Sequence, residues 1–162
     1  MKKIVLVLTM VLCTGVTTAQ EAAQSPLFLQ FQQYDSLLFE RGFNHCDLSS
    51  YDSLVAEDLE FYHDLSGITR GKTAFITSVK NNICGSPNKI KRALVPGSLT
   101  VYPLFKKGTL YGVLQEGLHT FHVFEQQQWQ KVGVARFSHL WLLENNTWKL
   151  KRVVSYDHKA AH

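Results

Sequence analysis

The second half of the chain limits the fold most strongly, because residues 90–157 alternate apolar and polar side chains in long runs separated by short turn sequences. These runs predict strands at 90–95, 99–105, 110–124, 134–143 and 148–157. Hairpin turns are expected at 106–108 and 144–147, and a loop at 126–131. Gly112 and Gly117 predict bends or bulges in the longest run. Consecutive strands joined in this way form an antiparallel meander.

The first half predicts helices that would pack on this meander. Ser25-Pro26 is typical of a helix start, since serine can cap the first turn and proline is tolerated there. Apolar residues at helical spacing follow up to Leu38, and Gly42 predicts the end. A short helix after residue 47, a strand at 59–64 and a helix at 71–83 complete the order. The expected class is α+β, a cone-shaped fold with three N-terminal helices packed on a strongly curved antiparallel sheet.

Residues 1–19 have the pattern of a secretory signal peptide rather than of a folded element. Lys2 and Lys3 precede an apolar run, and the run ends in small residues at Ala19. Cleavage there would take 19 of the 162 residues and leave a single domain of 143, residues 20–162. The expected location is then the periplasm or the medium, with no membrane contact after cleavage. The alternative is an N-terminal anchor that is never cut.

The charge of the chain is unevenly distributed. The formal net charge is +4, and it falls to +2 when the two leader lysines are removed. Residues 20–64 hold nine acids and one base, whereas residues 65–162 hold fourteen bases and four acids. A nucleic-acid binder would show a basic cluster with exposed aromatic side chains. An acidic half that faces a basic half within one fold explains the numbers more simply, so no nucleic-acid partner is expected.

Alternation places a histidine on the apolar and aromatic face of each of three strands. The faces carry Phe137, His139 and Trp141; His119 and Phe121; and Arg152, Tyr156 and His158. His63 and Asp64 lie near the end of the first predicted strand. The sequence therefore predicts a pocket in which several polar groups lie among aromatic rings.

These positions supply the candidate site residues. The catalytic candidates are Asp64, His119, His139, Tyr156 and His158, because imidazole titrates near neutrality and a carboxylate can orient it or act as a base if burial raises its pKa. The ligand-binding candidates are Tyr62, Phe121, Phe137, Trp141 and Arg152, with Arg152 as the cation of the pocket or the partner of a carboxylate. The alternative is that each is a structural polar group satisfied within the core or at its rim.

No metal or organic cofactor is expected. Three histidines on adjacent strands can chelate zinc, but H-x-H and HExxH are missing from the sequence, and His119 and His122 should point to opposite faces. The sequence also lacks GxGxxG, P-loop and GxSxG motifs. Beyond the leader the cysteines are Cys46 and Cys84, which form either a disulfide worth about 4 kcal/mol or two buried thiols.

Stretches spread over nearly all of the mature chain resemble the nuclear transport factor 2-like superfamily. The resemblance is closer to its SnoaL-like branch, and specifically to secreted bacterial proteins with domain of unknown function 4440. The stretches are Phe43–Asp47, Leu59–Asp64 with Gly67, Asn81–Cys84, Tyr102–Leu104, Gly117–Phe121, Phe137–Trp141 and Ser155–His158.

The resemblance implies a conical pocket and homodimers formed through the sheet. The superfamily includes ketosteroid isomerase, scytalone dehydratase and polyketide cyclases, which use Asp, His or Tyr without a metal or organic cofactor, and it also includes pure binding modules. The expected partner is a hydrophobic or amphipathic small molecule, with isomerase, dehydratase or cyclase chemistry as one hypothesis. The alternative is a non-catalytic dimeric binding or interaction module.

Overall fold

A computed structural model describes residues 19–161. The predicted leader, residues 1–19, lies outside this part of the chain except for Ala19. No helix among residues 19–161 is long and apolar enough to cross a membrane.

The helices lie where the sequence predicts them. α1 spans Pro26–Asp35 and continues as a π-helical segment over Ser36–Asn44, and α2 (Tyr51–Leu54) follows a 3-10 turn at Leu48–Ser50. α3 spans Lys72–Val79 and continues as a π-helical segment over Lys80–Cys84. The Ser25 side chain accepts a hydrogen bond from the Phe28 backbone N–H at 3.1 Å, which caps α1 as expected.

Seven strands form one curved, mostly antiparallel sheet. They are β1 (Val55–His63), β2 (Gly67–Arg70), β3 (Ile90–Leu94), β4 (Thr100–Lys106), β5 (Thr109–Glu125), β6 (Gln128–Glu144) and β7 (Thr147–Ala160). The order across the sheet is β2-β1-β7-β6-β5-β3, and β4 pairs with the other part of β5. The α+β class is confirmed, with one refinement: β1 pairs with β7 in parallel.

The loop predicted at residues 126–131 is wrong. β5 and β6 continue through this region and pair up to Glu125 and Gln128. Gln126 and Gln127 both have positive φ, 49° and 62°, which is the backbone of a two-residue hairpin turn of the kind that glycine or asparagine usually occupies. Because glutamine gives no such signal, the polar residues around the turn resembled a loop.

Gly117 leaves room for the ring of Phe137, its pairing partner on β6, to lie over the β5 backbone. A Cβ at this position would lie 2.8 Å from the Phe137 ring, so a larger residue would displace that ring. The second glycine, Gly112, lies beside a register shift in the pairing with β4, where Tyr111 is the extra residue. The predicted irregularity is therefore found beside Gly112, whereas Gly117 lies in regular pairing with Phe137 on β6.

Two bulges in β7 decide which side chains reach the interior. Between Leu150 and Arg152, Lys151 has no partner on β6, and between Tyr156 and Lys159 the strand again carries one extra residue. The first bulge reverses the alternation, so that Val153 and Ser155 are buried. The second, where Asp157 has φ +58°, reverses it again and turns His158 inward.

An aromatic core fills one end of the fold, between α1 and the sheet. Phe31 makes edge-to-face contacts with Trp141 and Trp148, with ring centroids 5.5 and 5.0 Å apart, and Tyr34 stacks on Trp141. Cys46 and Cys84 form a disulfide with a Cα–Cα distance of 5.8 Å, which joins the ends of the two π-helical segments. The helices are thereby fixed over the other end of the sheet.

Candidate functional site

A cavity of about 360 Å³ lies between the helices and the inner face of the sheet. This volume is in the range of small-molecule sites. Its walls are mainly apolar and aromatic, with Phe39 and Phe43 on the first helix, Phe75 on α3 and Phe121 and Phe137 on the sheet. Polar side chains reach it at a few positions, which are Arg92, His119, His139, Ser155, His63, Ser66 and, on the helical side, Tyr51, Ser78 and Asn82.

Arg92, on β3, is the buried cation of the site. Its guanidinium bonds both oxygens of Asp35 at 2.9 and 3.0 Å and lies 3.7 Å from the centre of the Phe39 ring. Both side chains are almost fully buried, at 2% and 6% exposure. Asn44 holds the backbone of Arg92 with two further hydrogen bonds of 2.8 Å. The positive charge is therefore matched inside the protein and fixed in position.

The third donor of Arg92 determines the state of His119. Arg92 Nε donates to His119 Nδ1 at 2.8 Å, so this nitrogen must carry a lone pair. Burial, together with the charge of Arg92 and of the nearby imidazoles His139, His158 and His63, lowers the pKa of His119 to about 2. His119 is consequently a neutral imidazole with its proton on Nε2, which lies 3.5 Å from Ser155 Oγ. It is suited to donate a hydrogen bond and is not a general base at neutral pH.

His139 is held in the opposite tautomer by Gln115. The Gln115 amide donates to the Phe31 carbonyl at 3.0 Å and accepts from Trp141 Nε1 at 2.9 Å, which fixes its orientation. Its oxygen also faces His139 Nδ1 at 3.4 Å, so Nδ1 carries the proton and Nε2 is left as an acceptor. Complete burial and the charge of Arg92 lower the pKa of His139 well below its usual value.

Asp64 and His158 form a close pair at the edge of the cavity. Asp64 Oδ1 lies 2.5 Å from His158 Nδ1, and Asp64 Oδ2 accepts the His158 backbone N–H at 3.2 Å. Desolvation raises the pKa of Asp64, but hydrogen bonds and charge from His158 and His63 outweigh it, so that the pKa is lowered. An ionised carboxylate can only accept, so His158 Nδ1 carries a proton and, in the neutral ring, Nε2 is a lone-pair acceptor.

Ser155 links this pair to the buried network. Its hydroxyl lies 3.4 Å from His158 Nε2 and 3.5 Å from His119 Nε2, and Ser155 is one of the residues that line the cavity. His158 itself stacks on Phe121, with ring centroids 5.8 Å apart. A chain of polar contacts thus runs from Asp64 through His158, Ser155 and His119 to Arg92.

The same edge holds the residue types of a metal site. His63, Asp64 and His158 offer ligand atoms within 4.8 Å of one another. However, the two imidazoles are stacked, with centroids 4.4 Å apart and planes 21° apart, whereas a metal ion must lie in the plane of each ring that binds it. His63 Nδ1 also accepts the backbone N–H groups of Leu65 and Ser66, at 3.1 and 3.3 Å. This geometry favours hydrogen bonding over metal coordination.

The structure separates the sequence-predicted site residues into two groups. His119, His139, Phe121 and Phe137 line the cavity, and Asp64 and His158 meet at its edge. The other group is Tyr62, Trp141, Arg152 and Tyr156, none of which is a wall of the cavity.

The placement of this second group in the pocket is therefore wrong. The first bulge of β7 turns Arg152 and Tyr156 away from the interior, and Arg152 pairs with Glu60 at 2.8 Å. Tyr62 donates to the same carboxylate at 2.8 Å. Trp141 is on the inner face but lies in the aromatic core, at the far end of its strand.

Several polar residues of the site were missed in the sequence, among them Asp35, Arg92, Gln115 and Ser155. Arg92 falls between Ile90 and Leu94 on one face of β3, and Asp35 lies one helical turn after Phe31. Two opposite charges, each at a position whose neighbours face the core, are the signal that was available. Ser155 gave no such signal, because its inward direction depends on the first β7 bulge.

Solved structures of nuclear transport factor 2-like proteins share this architecture. A superfamily protein from Salmonella enterica serovar Typhimurium LT2 has a TM-score of 0.63 at 15% identity, over 86% of this chain and 94% of that chain. A protein of unknown function from Pseudomonas putida KT2440 has a TM-score of 0.62 at 12% identity, over 82% and 88%. A nuclear transport factor 2-like protein from Cytophaga hutchinsonii has a TM-score of 0.59 at 14% identity, over 85% of this chain and 100% of that chain. The chain therefore has the nuclear transport factor 2-like fold. No family sequence model and no curated protein matches it.

Proposed function

We propose that the protein binds a neutral, amphipathic small molecule in the cavity. The observation that carries this proposal is the pair of buried imidazoles, His119 and His139, which are held neutral and in opposite tautomers among aromatic walls. The charge of Arg92 is already matched by Asp35, so among the lining residues that the structure describes no buried cation is free for an anionic ligand. A charged ligand would lose its hydration without gaining a counter-ion.

The tautomers also set the polar pattern of the ligand. His119 Nε2 offers a proton, and His139 Nε2 offers a lone pair. A molecule with a carbonyl or ether oxygen towards His119 and a hydroxyl towards His139 satisfies both. Aromatic rings on the helices and on the sheet leave a largely apolar space for the rest of the molecule. A phenol or hydroxy-ketone of modest size has this character.

Proton transfer at the bound ligand is the catalytic part of the proposal. His158 Nε2 is the base, and Asp64 stabilises the imidazolium that forms. Because His158 lies behind Ser155, the proton passes through the Ser155 hydroxyl. His119 donates to the oxygen on which charge develops. This mechanism needs no metal or organic cofactor, and it fits isomerase, dehydratase or cyclase chemistry.

The test compares a neutral ligand with its charged counterpart. 1-Naphthol and 1-naphthoate have the same ring system, and binding to the full mature chain is measured by NMR shifts of the cavity histidines. We expect 1-naphthol to bind at least roughly tenfold more tightly than 1-naphthoate, and we expect His139→Phe to weaken the binding of 1-naphthol. Arg152→Gln, a change on the outer face, is the matched control. Equal or tighter binding of the naphthoate would contradict the proposal. Native mass spectrometry of protein from its own host would then identify the retained ligand.

We also propose that the mature protein is a homodimer in the periplasm or the medium. The support for pairing is the outer face of β7, where Val154 and Tyr156 are 37% and 36% exposed beside the inward Val153 and Ser155. Light scattering after gel filtration gives the oligomeric state, and Tyr156→Glu should reduce it to a monomer. N-terminal sequencing of the exported protein should begin at Gln20. A monomeric wild-type protein would contradict the homodimer, and an uncut leader would contradict the proposed cleavage and export.

A further inference from the structure

We propose that Ser155 is a nucleophile and that the site hydrolyses small neutral esters. This inference rests on ligand binding in the cavity, as proposed above, but assigns a different reaction to the same edge. Asp64, His158 and Ser155 stand in the order carboxylate, imidazole, hydroxyl that activates serine in acyl-transfer enzymes. Such a set is recognised by its geometry and not by its position in the sequence.

The geometry holds each member of the set. Asp64 bonds His158 twice, through the ring at 2.5 Å and through the backbone N–H at 3.2 Å, so the imidazole cannot turn without losing a contact. Stacking against His63 and Phe121 further restrains the ring. His158 Nε2 then lies 3.4 Å from Ser155 Oγ, a distance of the loose kind common in sites without substrate.

Ser155 faces the space where an ester would lie. The residue is only 5% exposed, yet its side chain is part of the cavity wall. Its neighbour His119 keeps a proton on Nε2, because Arg92 occupies Nδ1. His119 Nε2 lies 3.5 Å from Ser155 Oγ, and its N–H is the donor available to an oxyanion that forms beside the hydroxyl.

The reaction balances with water as the only co-substrate. The Ser155 Oγ proton passes to His158 Nε2 as Oγ bonds the acyl carbon, and the carbonyl oxygen becomes an oxyanion facing His119. The carbon–oxygen bond to the alcohol then breaks, and the leaving oxygen takes the proton from His158. Water, deprotonated by His158, attacks the acyl-serine and releases the acid, and Ser155 regains its proton.

The cavity limits the substrate class. A space of about 360 Å³ with aromatic walls suits a short acyl chain or an aryl ester. An ester of a charged acid or alcohol would lack a counter-ion there, for the same reason that a charged ligand would. The product acid is an anion, and the site does not stabilise its charge, which favours its release.

The test uses 4-nitrophenyl acetate as the probe and the full mature protein. We expect nitrophenol release and an acetyl group on Ser155, located by mass spectrometry of the quenched protein. Ser155→Ala should abolish the adduct, and His158→Gln should slow release by roughly a hundredfold. Ser138→Ala is the matched control, because that hydroxyl bonds Glu116 outside the cavity wall and its loss should leave the rate unchanged.

Two results would overturn the proposal: release that is equally fast in Ser155→Ala, or acetylation only at other residues. Circular dichroism and 1-naphthol binding of each variant separate loss of chemistry from loss of fold. If the wild-type protein binds 1-naphthol but forms no acetyl-serine, the nucleophile is refuted and the binding proposal stands. If Ser155 is acetylated but the protein does not bind 1-naphthol, the ester still enters the cavity and the nucleophile stands, whereas the proposed hydroxyl-bearing ligand is refuted.

Discussion

Removing the negative charge of Asp35 should destabilise the protein strongly. Asp35→Asn keeps the shape of the side chain but leaves the Arg92 guanidinium, 2% exposed, without its counter-ion. Breaking a buried ion pair from one side costs about 3–5 kcal/mol. Domains of this kind have about 5–15 kcal/mol of stability in total, so the variant would lose a large part of it. With a typical urea slope, the unfolding midpoint should fall by about 2 M.

A double-mutant cycle tests whether the cost comes from the unpaired charge. Arg92→Met should also destabilise, because it leaves the Asp35 carboxylate alone. The double variant Asp35→Leu, Arg92→Met carries no buried charge and should be more stable than either single variant. The control is Asp157→Asn, which removes an exposed partner of Lys159 and should change the midpoint little. Additive losses in the double variant, or an Asp35→Asn loss below about 1 kcal/mol, would refute the reasoning.

Three further predictions concern His119, the disulfide and Gly42. The pKa of His119 lies at about 2 in the folded state against about 6.5 in the unfolded chain, so its contribution to stability is complete above pH 6.5 and about 2 kcal/mol is lost by pH 5. In urea unfolding at a series of pH values, His119→Asn should remove that part of the pH dependence of stability, and an unchanged pH dependence would contradict the prediction. Replacing Cys46 and Cys84 by alanine opens a link across 38 residues and should lower the free energy of unfolding by about 4 kcal/mol, measured by calorimetry. If stability does not fall, packing rather than the disulfide supplies the constraint. Gly42→Ala would place a Cβ 2.3 Å from the Tyr51 ring and should cost about 1–3 kcal/mol in urea unfolding, so a neutral result would mean that the ring can move aside.

Regular alternation explains which site residues were predictable. β6 runs through Phe137, His139 and Trp141 without a bulge, so all three point inward as the sequence indicates. The helix start at Ser25 and the turns at 106–108 and 144–147 carry residues whose local preferences match the structure. Elements fixed by local propensity and by one uninterrupted face could therefore be read from the sequence.

β7 shows where that reasoning fails. Uninterrupted alternation places Arg152, Tyr156 and His158 on the inner face, but the bulge at Lys151 excludes the first two. His158 points inward because the second bulge restores the original alternation, so its prediction was right for an incomplete reason. Asp157, which tolerates positive φ better than most residues, was the local sign of that second bulge. Lys151 gave no such sign, since its bulge is set by pairing with β6.

The uneven charge of the chain is explained by pairing between its two halves. Lys72, Lys151 and Arg152, from the basic half, contact Glu57, Asp58 and Glu60 of the acidic half, at 3.0, 2.6 and 2.8 Å. These contacts pair three basic side chains of the second half with three carboxylates of the first, so part of the charge of each half is matched within the fold.

The site follows the same rule as the surface pairs. Asp35 and Asp64 come from the acidic half, whereas Arg92, His119, Ser155 and His158 come from the other. Asp35 cancels the charge of the cation that fixes His119, and Asp64 orients the imidazole that would activate Ser155. Neither half alone carries both the carboxylates and the groups that they control. The polar chain along the cavity can therefore form only when the helices and the first strand dock on the sheet, so the proposed binding and chemistry would both require the completed fold.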